Sequence, residues 1–379
     1  MASAGGKNLA ETILVTGGAG FIGRHLARAL LAAGRRVRVL DSLIDQVHGG
    51  RGRPDELDAE AEFIEGDVRD PSAVRDALAG VDKVVHLAAE VGVGQSMYAV
   101  DRYVSVNDHG TAVLFQQLIE RPVRRVVVAS SMSIYGEGLY RTADGALVED
   151  AVRRPRRGPD APWDPVDDRG RALAPVATPE WKRPALASVY AITKHVQERL
   201  TLTLAPAYGM EGVALRLWNV YGPGQALSNP YTGVLAIFAS RIHNGQAPMV
   251  FEDGKQRRDF VHVEDIARAF MLALDHPRAA GEVYNIASGE DRSVEEVAAL
   301  LADAMGRPGL TPEIAGKART GDIRHCIADI SKARGELGLG APRDFAQGLA
   351  ELAEWVARQQ AEDRVSHARR ELEARGLVA

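Results

Sequence analysis

Three things are scarce in this chain. Cysteine occurs once in 379 residues, as Cys326, which excludes an intramolecular disulfide and any zinc site built from cysteines. No apolar run approaches the ~20 residues a bilayer-spanning helix needs. The opening Met1-Ala2-Ser3-Ala4-Gly5-Gly6-Lys7 has no apolar signal core, so residues 1–10 read as a short flexible lead-in, no membrane partner is expected, and the cytoplasm is the expected compartment. Excess basic charge is also missing. The 46 Lys and Arg are outnumbered by 51 Asp and Glu, and no basic stripe with interleaved aromatics appears, so no nucleic-acid partner is expected.

What is present is concentrated near the start. Thr12-Ile13-Leu14-Val15 reads as a buried strand, and Gly17, Gly20 and Gly23 then turn the chain into an apolar-periodic helix from Phe21 to Leu31. Glycines at this spacing permit a tight turn and let the backbone approach a pyrophosphate. The unpaired N–H groups of the helix start, at Phe21 and Ile22, then face its charge. A second strand ends in Asp41. A carboxylate there takes the ribose hydroxyls of an adenosine and repels a 2′-phosphate, which predicts NAD rather than NADP.

Residues 12–136 alternate β-branched strands with helical stretches, as a parallel sheet covered by helices does. Strands are predicted at 12–16, 36–40, 62–65, 83–87 and 126–130, with later ones at 212–217 and 283–287. Asp67-Val68 follows the third strand and is expected at the adenine edge; Leu87-Ala88-Ala89 ends the fourth with side chains small enough to admit a cofactor. The fold class is thus α/β, a Rossmann-type doubly wound parallel sheet, with a smaller C-terminal α/β lobe. Residues 137–187 are rich in Pro, Arg and Asp and read as an insert. Its run from Arg153 to Pro159 is a charged linker or a phosphate clamp, with a solvated loop preferred. Residues 352–376 read as a charged amphipathic helix or pair of helices carrying no functional signal.

Tyr190 and Lys194 stand four residues apart, on one face of a helix. A nearby ammonium favours tyrosinate, so the pair offers a proton acceptor working near neutrality. Ser131, at the end of the fifth strand, is suited to hold the substrate oxygen whose proton Tyr190 handles.

This constellation resembles the extended short-chain dehydrogenase/reductase family, and within it the nucleotide-sugar epimerases and dehydratases. The resemblance covers residues 10 to 345. It implies that Asn107, in Val106-Asn107-Asp108-His109-Gly110-Thr111, serves the cofactor side. On the substrate side it implies Asn219 and Ser133 near the sugar, and Arg258 and Arg319 on the diphosphate. Two guanidinium forks on phosphate oxygens are chemically apt. Cys326 falls where UDP-galactose 4-epimerases carry a residue gating the sugar ring. The domain division is 11–215 for the NAD-binding part, 216–350 for a mainly nucleotide-sugar-binding lobe that partly returns to the sheet, and 351–379 for a helical tail.

The family's dehydratases carry an acidic pair just after the serine position, where Met132 and Ser133 stand here; its decarboxylases use a glutamate nearby, and its 3,5-epimerases a cysteine at Ser133. The resemblance therefore implies NAD-dependent 4-epimerisation of a nucleotide-diphosphate sugar, with no metal. The stretches 89–98, 131–138 and 225–234 look like the dTDP-L-rhamnose 4-epimerase group, implying a dTDP-6-deoxyhexose. A 4-ketoreductase or dehydrogenase, another nucleotide-sugar epimerase, or a non-catalytic NAD-binding regulator remain alternatives. The family also implies a homodimer through a four-helix bundle, for which Ala191, Val196, Leu200 and Leu204 offer apolar positions.

Overall fold

A computed structural model describes residues 10–50, 52–153, 161–229, 231, 233–319, 321–359 and 365–378. The lead-in up to residue 9 and the arginine-rich run 154–159 lie outside the described residues.

Seven parallel strands form the main sheet: β1 (Thr12–Thr16), β2 (Arg36–Asp41), β3 (Glu62–Glu65), β4 (Lys83–His86), β5 (Arg125–Ser131), β6 (Glu211–Leu217) and β7 (Val283–Ile286). Their spatial order is β3-β2-β1-β4-β5-β6-β7. The order reverses between β1 and β4, and a doubly wound sheet binds ligands in the crevice beyond the strand ends at that point. The central strands are buried on both faces, which accounts for their continuous Val/Leu/Ile runs. All seven predicted strands are present, within a residue of the predicted ends.

The turn after β1 explains its glycines. Gly17 has φ +68°, and a Cβ there would stand 2.7 Å from the backbone nitrogen of Ala88 after β4. A Cβ on Gly23 would run into the Gly18 backbone. Neither position tolerates a side chain, so the helix Phe21–Ala32 starts tight against the sheet.

A second, mixed sheet lies beyond the ends of the first. Its strands, in order, are Asn219–Tyr221, Arg257–His262, His325–Ala328, Ala174–Thr178, Leu139–Arg141 and Leu147–Val148. The insert 137–187, read as poor in apolar periodicity, contributes to this sheet. Three of its segments are strands, Thr178 and Lys182 are buried, and Lys182 donates to the Tyr135 carbonyl at 2.9 Å. Strands of two to five residues, paired with segments far along the chain, leave no periodicity to read. Arg153, the first residue of the arginine-rich run, is half-buried: it pairs with Glu137 at 3.0 Å and with Glu252 and reaches the Asp322 carbonyl. Helices Val234–His243, Val294–Ala304 and Phe345–Val356 enclose a separate apolar core around Phe238, Leu301 and Leu352. No described helix is long and apolar enough to cross a membrane.

At the end of β4, His86 is fully enclosed. Its Nδ1 lies 2.7 Å from Thr16 Oγ1 and its Nε2 2.9 Å from Thr111 Oγ1. Burial, aided by the nearby Lys194, brings its pKa down to about 3. Between the free-imidazole value and 3 the unfolded chain holds a proton that the folded chain lacks, so stability falls as pH falls through that window, by up to about 1.4 kcal/mol per unit. Thermal melts from pH 7 to pH 4 should show a shallower acid slope for His86→Gln than for the wild type. Equal slopes would remove His86 from the acid response.

Candidate active site

One cleft of about 1330 Å³ runs over the ends of β1, β2, β4 and β5 and under the second sheet. A single drug-sized ligand needs ~300–1,000 Å³, so there is room for two extended ligands. Gly17, Gly20, Phe21, Ile22, Gly23, Asp41, Asp67, Val68, Leu87, Ala88 and Ala89 line one arm, Asn219, Arg258 and Arg319 the other, and Ser131, Ser133, Tyr190 and Lys194 the stretch between them.

In the first arm the helix Phe21–Ala32 opens at Gly20, with no side-chain cap and no acid in its first turn. Its first N–H groups are therefore a ready anion site. The Asp41 carboxylate is held from both sides, accepting from Ala19 N at 3.1 Å and Leu43 N at 3.0 Å. His48 Nε2 stands 3.5 Å from it. Asp67 is engaged by Arg69, whose guanidinium donates to both its oxygens at 2.9 and 2.6 Å and holds its carboxyl below the usual range.

Asn107, expected on the cofactor side, lies directly behind the lining residues Ala89 and Glu90. It is fully buried within a π-helical segment, Val104–His109, of the long helix from Val100 to Glu120. Its Oδ1 accepts from Glu90 N at 2.7 Å, and its Nδ2 donates to Glu90 O at 3.1 Å and Thr193 Oγ1 at 2.9 Å. It ties the chain after β4 to the helix Val189–Ala207, which carries Tyr190 and Lys194, and so acts from behind the wall.

Ser131 ends β5 in extended backbone, and its Oγ accepts from Ser133 N at 3.2 Å. Ser131 also hydrogen-bonds Tyr190, but burial dominates and pushes the phenol up to about 12. Lys194 donates to Ala129 O at 3.0 Å and Gln197 Oε1 at 2.9 Å, and burial brings it down to about 7. The expected lowering of Tyr190 by Lys194 is not what dominates here; burial does. The desolvation that places the pair away from water also raises the one and lowers the other. The Ser133 hydroxyl is buried without a hydrogen-bond partner among the described residues.

Arg258 and Arg319 converge on one carboxylate. Asp322 pairs with Arg319 at 2.9 Å and with Arg258 at 3.5 Å. Burial alone would raise Asp322, but the charges of Arg319, Arg258 and Arg153 hold it below its usual value. Arg258 is aimed by the carbonyls of Arg257, Ile323 and Arg324, while Arg319 lies over the Phe251 ring at 4.7 Å. Asn219 donates to Asp259 O at 2.8 Å. A second anionic group entering here meets two forks already fixed in place.

Cys326, expected beside the sugar, is fully buried one strand away from Arg258. It pairs in register with Arg258 on the neighbouring strand, but its side chain is fully buried in the main core with Tyr135, Ile323 and Ala328, and burial pushes the thiol up to about 12. Cys326→Ala should lower the melting temperature while leaving KM within about twofold, since the cost is a core cavity. A large KM change would return Cys326 to the site.

The sequence reading missed a further part of the lining: Met249, Phe251, Gln256, Trp355, Arg369 and Leu372. The last three belong to a tail whose amphipathic pattern marks burial but not what is buried beneath it. No group of His, Cys, Asp and Glu among the described residues is arranged to hold a metal ion.

Comparison with known proteins agrees with this geometry. The model of the NAD dependent epimerase/dehydratase family matches residues 13–157 and 174–287. A dTDP-L-rhamnose 4-epimerase from Burkholderia thailandensis is 35% identical over 353 residues, 92% of this chain and 96% of that one. A putative UDP-glucose 4-epimerase from Methanocaldococcus jannaschii is 30% identical, covering 91% and 98%. Among solved structures, MoeE5 in complex with UDP-glucuronic acid and NAD superposes with a TM-score of 0.74 at 31% identity, over 92% of this chain and 99% of that one. With its glycine turn, buried tyrosine–lysine helix and paired arginines on one cleft, and a family match over more than half its length, the chain belongs to the NAD dependent epimerase/dehydratase family.

Proposed function

We propose that the protein is an isomerase that uses NAD to invert C4 of a nucleotide-diphosphate sugar. The observation that carries this reading is the single cleft in which the uncapped helix start and Asp41 occupy one arm, the Asp322-centred arginines the other, and Ser131, Tyr190 and Lys194 the junction. The first arm fits a dinucleotide: Gly17 leaves room for a close backbone approach, the helix start takes the diphosphate, and Asp41 takes the ribose hydroxyls. The carboxylate at Asp41 favours NAD over NADP.

NAD, when bound, would supply a hydride acceptor that is regenerated each turnover. Tyr190, as tyrosinate, would take the proton of the C4 hydroxyl and later return it. Ser131 holds that oxygen, and Lys194 orients the ribose beside it. Arg258 and Arg319 grip the diphosphate as the sugar turns over between the two half-reactions, so both faces of C4 are presented to the same tyrosine. Met132 and Ser133 border Ser131 in the lining, and neither supplies the acid–base pair that elimination of water requires. This favours epimerisation over dehydration. The similarity to the Burkholderia enzyme supports a dTDP-6-deoxyhexose such as dTDP-L-rhamnose as the substrate, and the chain's one cysteine agrees with a cytoplasmic setting.

Purified protein mixed with dTDP-L-rhamnose should give the C4 epimer by proton NMR, with no steady accumulation of reduced cofactor. Tyr190→Phe should cut kcat by at least ~10²-fold, the range of a lost general acid–base group; retention of wild-type turnover would refute the assignment. Steady production of reduced nicotinamide would mark net oxidation instead.

The same reading includes a homodimer. Val100, Val104 and Ile192 lie 45%, 42% and 43% exposed on two adjoining helices, Val100–Glu120 and Val189–Ala207. Asp108 Oδ1 and His195 Nδ1, on those helices, are buried without a partner among the described residues. Ala191 faces the home core, and Val196, Leu200 and Leu204 are half-buried, so Ile192 offers the more exposed apolar surface. A second copy packing these two helices against its own would form a four-helix bundle. Light scattering should give twice the 40.8 kDa chain mass, and Val104→Asp with Ile192→Asp should return the monomer. A monomeric wild type would defeat this.

A further inference from the structure

The helix Val365–Ala374 is fastened to three separate parts of the cleft's rim. On one side, the Tyr98 hydroxyl donates to the Tyr231 hydroxyl at 2.6 Å, and Tyr231 donates to Glu371 Oε2 at 2.9 Å. Arg375 covers the Tyr98 ring at 4.4 Å and pairs with Glu371 at 3.2 Å. On the other side, Glu373 pairs with Arg369 at 2.9 Å and with Lys317 at 3.1 Å. Beyond the helix, the backbone of Val378 bridges to that of Arg319. Between these fastenings Leu372 is buried over Gly94, where a Cβ would lie 3.6 Å from its methyl carbon. Arg369 reaches Met249 Sδ at 3.3 Å.

Both Leu372 and Arg369 line the cleft, Arg369 against Met249 and the chain just past their helix against Arg319, whose guanidinium covers Phe251. This part of the cleft is largely apolar, with Met249, Phe251, Phe238 and Trp355 in its walls. An apolar slot next to a pair of diphosphate-binding guanidiniums, with one further N–H fork at its edge, suits a flat heterocyclic base with carbonyl oxygens on its rim. We propose that the C-terminal helix is a wall of the nucleoside subsite. Leu372 and Arg369 meet the pyrimidine base of the nucleotide sugar, and the Tyr98–Tyr231–Glu371 chain is the latch that keeps the wall shut. This rests on the reading of the cleft as a nucleotide-sugar site. It assigns to this helix the residence time of the nucleotide and leaves the chemistry at Tyr190 untouched. Leu372 and Arg369 are substrate-binding residues here; Glu371, Tyr98 and Tyr231 are positioning residues.

The test uses the full chain with NAD bound, titrated calorimetrically with dTDP and with UDP, and Trp355 emission to follow nucleotide release. Wild type should bind at least one of the two. Leu372→Ala and Arg369→Ala should each raise Kd about tenfold, and raise KM for the turned-over sugar similarly, with kcat and NAD content unchanged. Glu371→Ala should speed nucleotide release by about as much, and Glu371→Gln, which keeps an acceptor for Tyr231, should restore most of the slow release. Tyr231→Phe removes one oxygen from the latch, carries little risk to folding, and should release faster as well. If Kd and release rate stay at wild-type values in Leu372→Ala, Arg369→Ala and Tyr231→Phe, the helix is a passive cover and the proposal falls. If wild type binds neither nucleotide while holding NAD, the nucleotide-sugar reading fails first, and this one with it.

Discussion

The site depends on a buried ion pair. Glu198, on the tyrosine–lysine helix, pairs with Arg216 of β6 through two contacts at 2.7 and 3.0 Å, and both side chains are nearly inaccessible. Ser130, next to Ser131, donates to the same carboxylate at 2.6 Å. Arg216 continues to the Tyr135 hydroxyl at 2.7 Å, and Tyr135 donates to Asn285 of β7 at 2.7 Å. One network thus binds β5, β6, β7 and the Val189–Ala207 helix. A buried pair of this kind contributes little net stability over an apolar replacement, but losing one partner strands a charge at a cost of about 3–5 kcal/mol. Its value here is registry: it fixes Tyr190 relative to Ser131, which belong to different elements far apart in sequence.

The helix extends this logic along its length. Lys194 is held by Ala129 O, and Gln197 reaches Thr111 Oγ1 at 3.0 Å beside His86. The side of the helix turned toward the sheet is polar where an ordinary covering helix would be apolar. Each polar group there has a designated partner, which is the condition for burying it. The arginine pair in the cleft follows the same rule, since Asp322 engages both Arg319 and Arg258. The arginines are therefore prepositioned by charge as well as by backbone carbonyls.

These facts explain what was legible in the sequence. The main sheet was, because parallel strands buried on both faces must be continuous β-branched runs, and the glycine turn leaves no freedom at Gly17 or Gly23. The cleft-lining residues near that turn were legible for the same reason. The second sheet was not: Ala174–Thr178 pairs with Leu139–Arg141 some 35 positions back and with His325–Ala328 some 150 positions on. For Asn107 and Cys326 the sequence carried spacing, and the structure adds that both are fully buried. Spacing cannot distinguish a residue facing the cleft from one supporting it from behind. The tail failed differently, since an amphipathic helix announces an apolar face without saying what it covers.

The electrostatics of the reacting pair complete the picture. Burial raises Tyr190 to about 12 and lowers Lys194 to about 7, so near neutral pH the phenol keeps its proton and the amine is close to losing its own. Both shifts have one cause, desolvation, and both favour neutral forms. Fixed charge lies away from this pair, at Asp41 beside the glycine turn and at Arg258, Arg319 and Asp322. Because desolvation sets both shifts, a positive charge placed beside the phenol would oppose its shift.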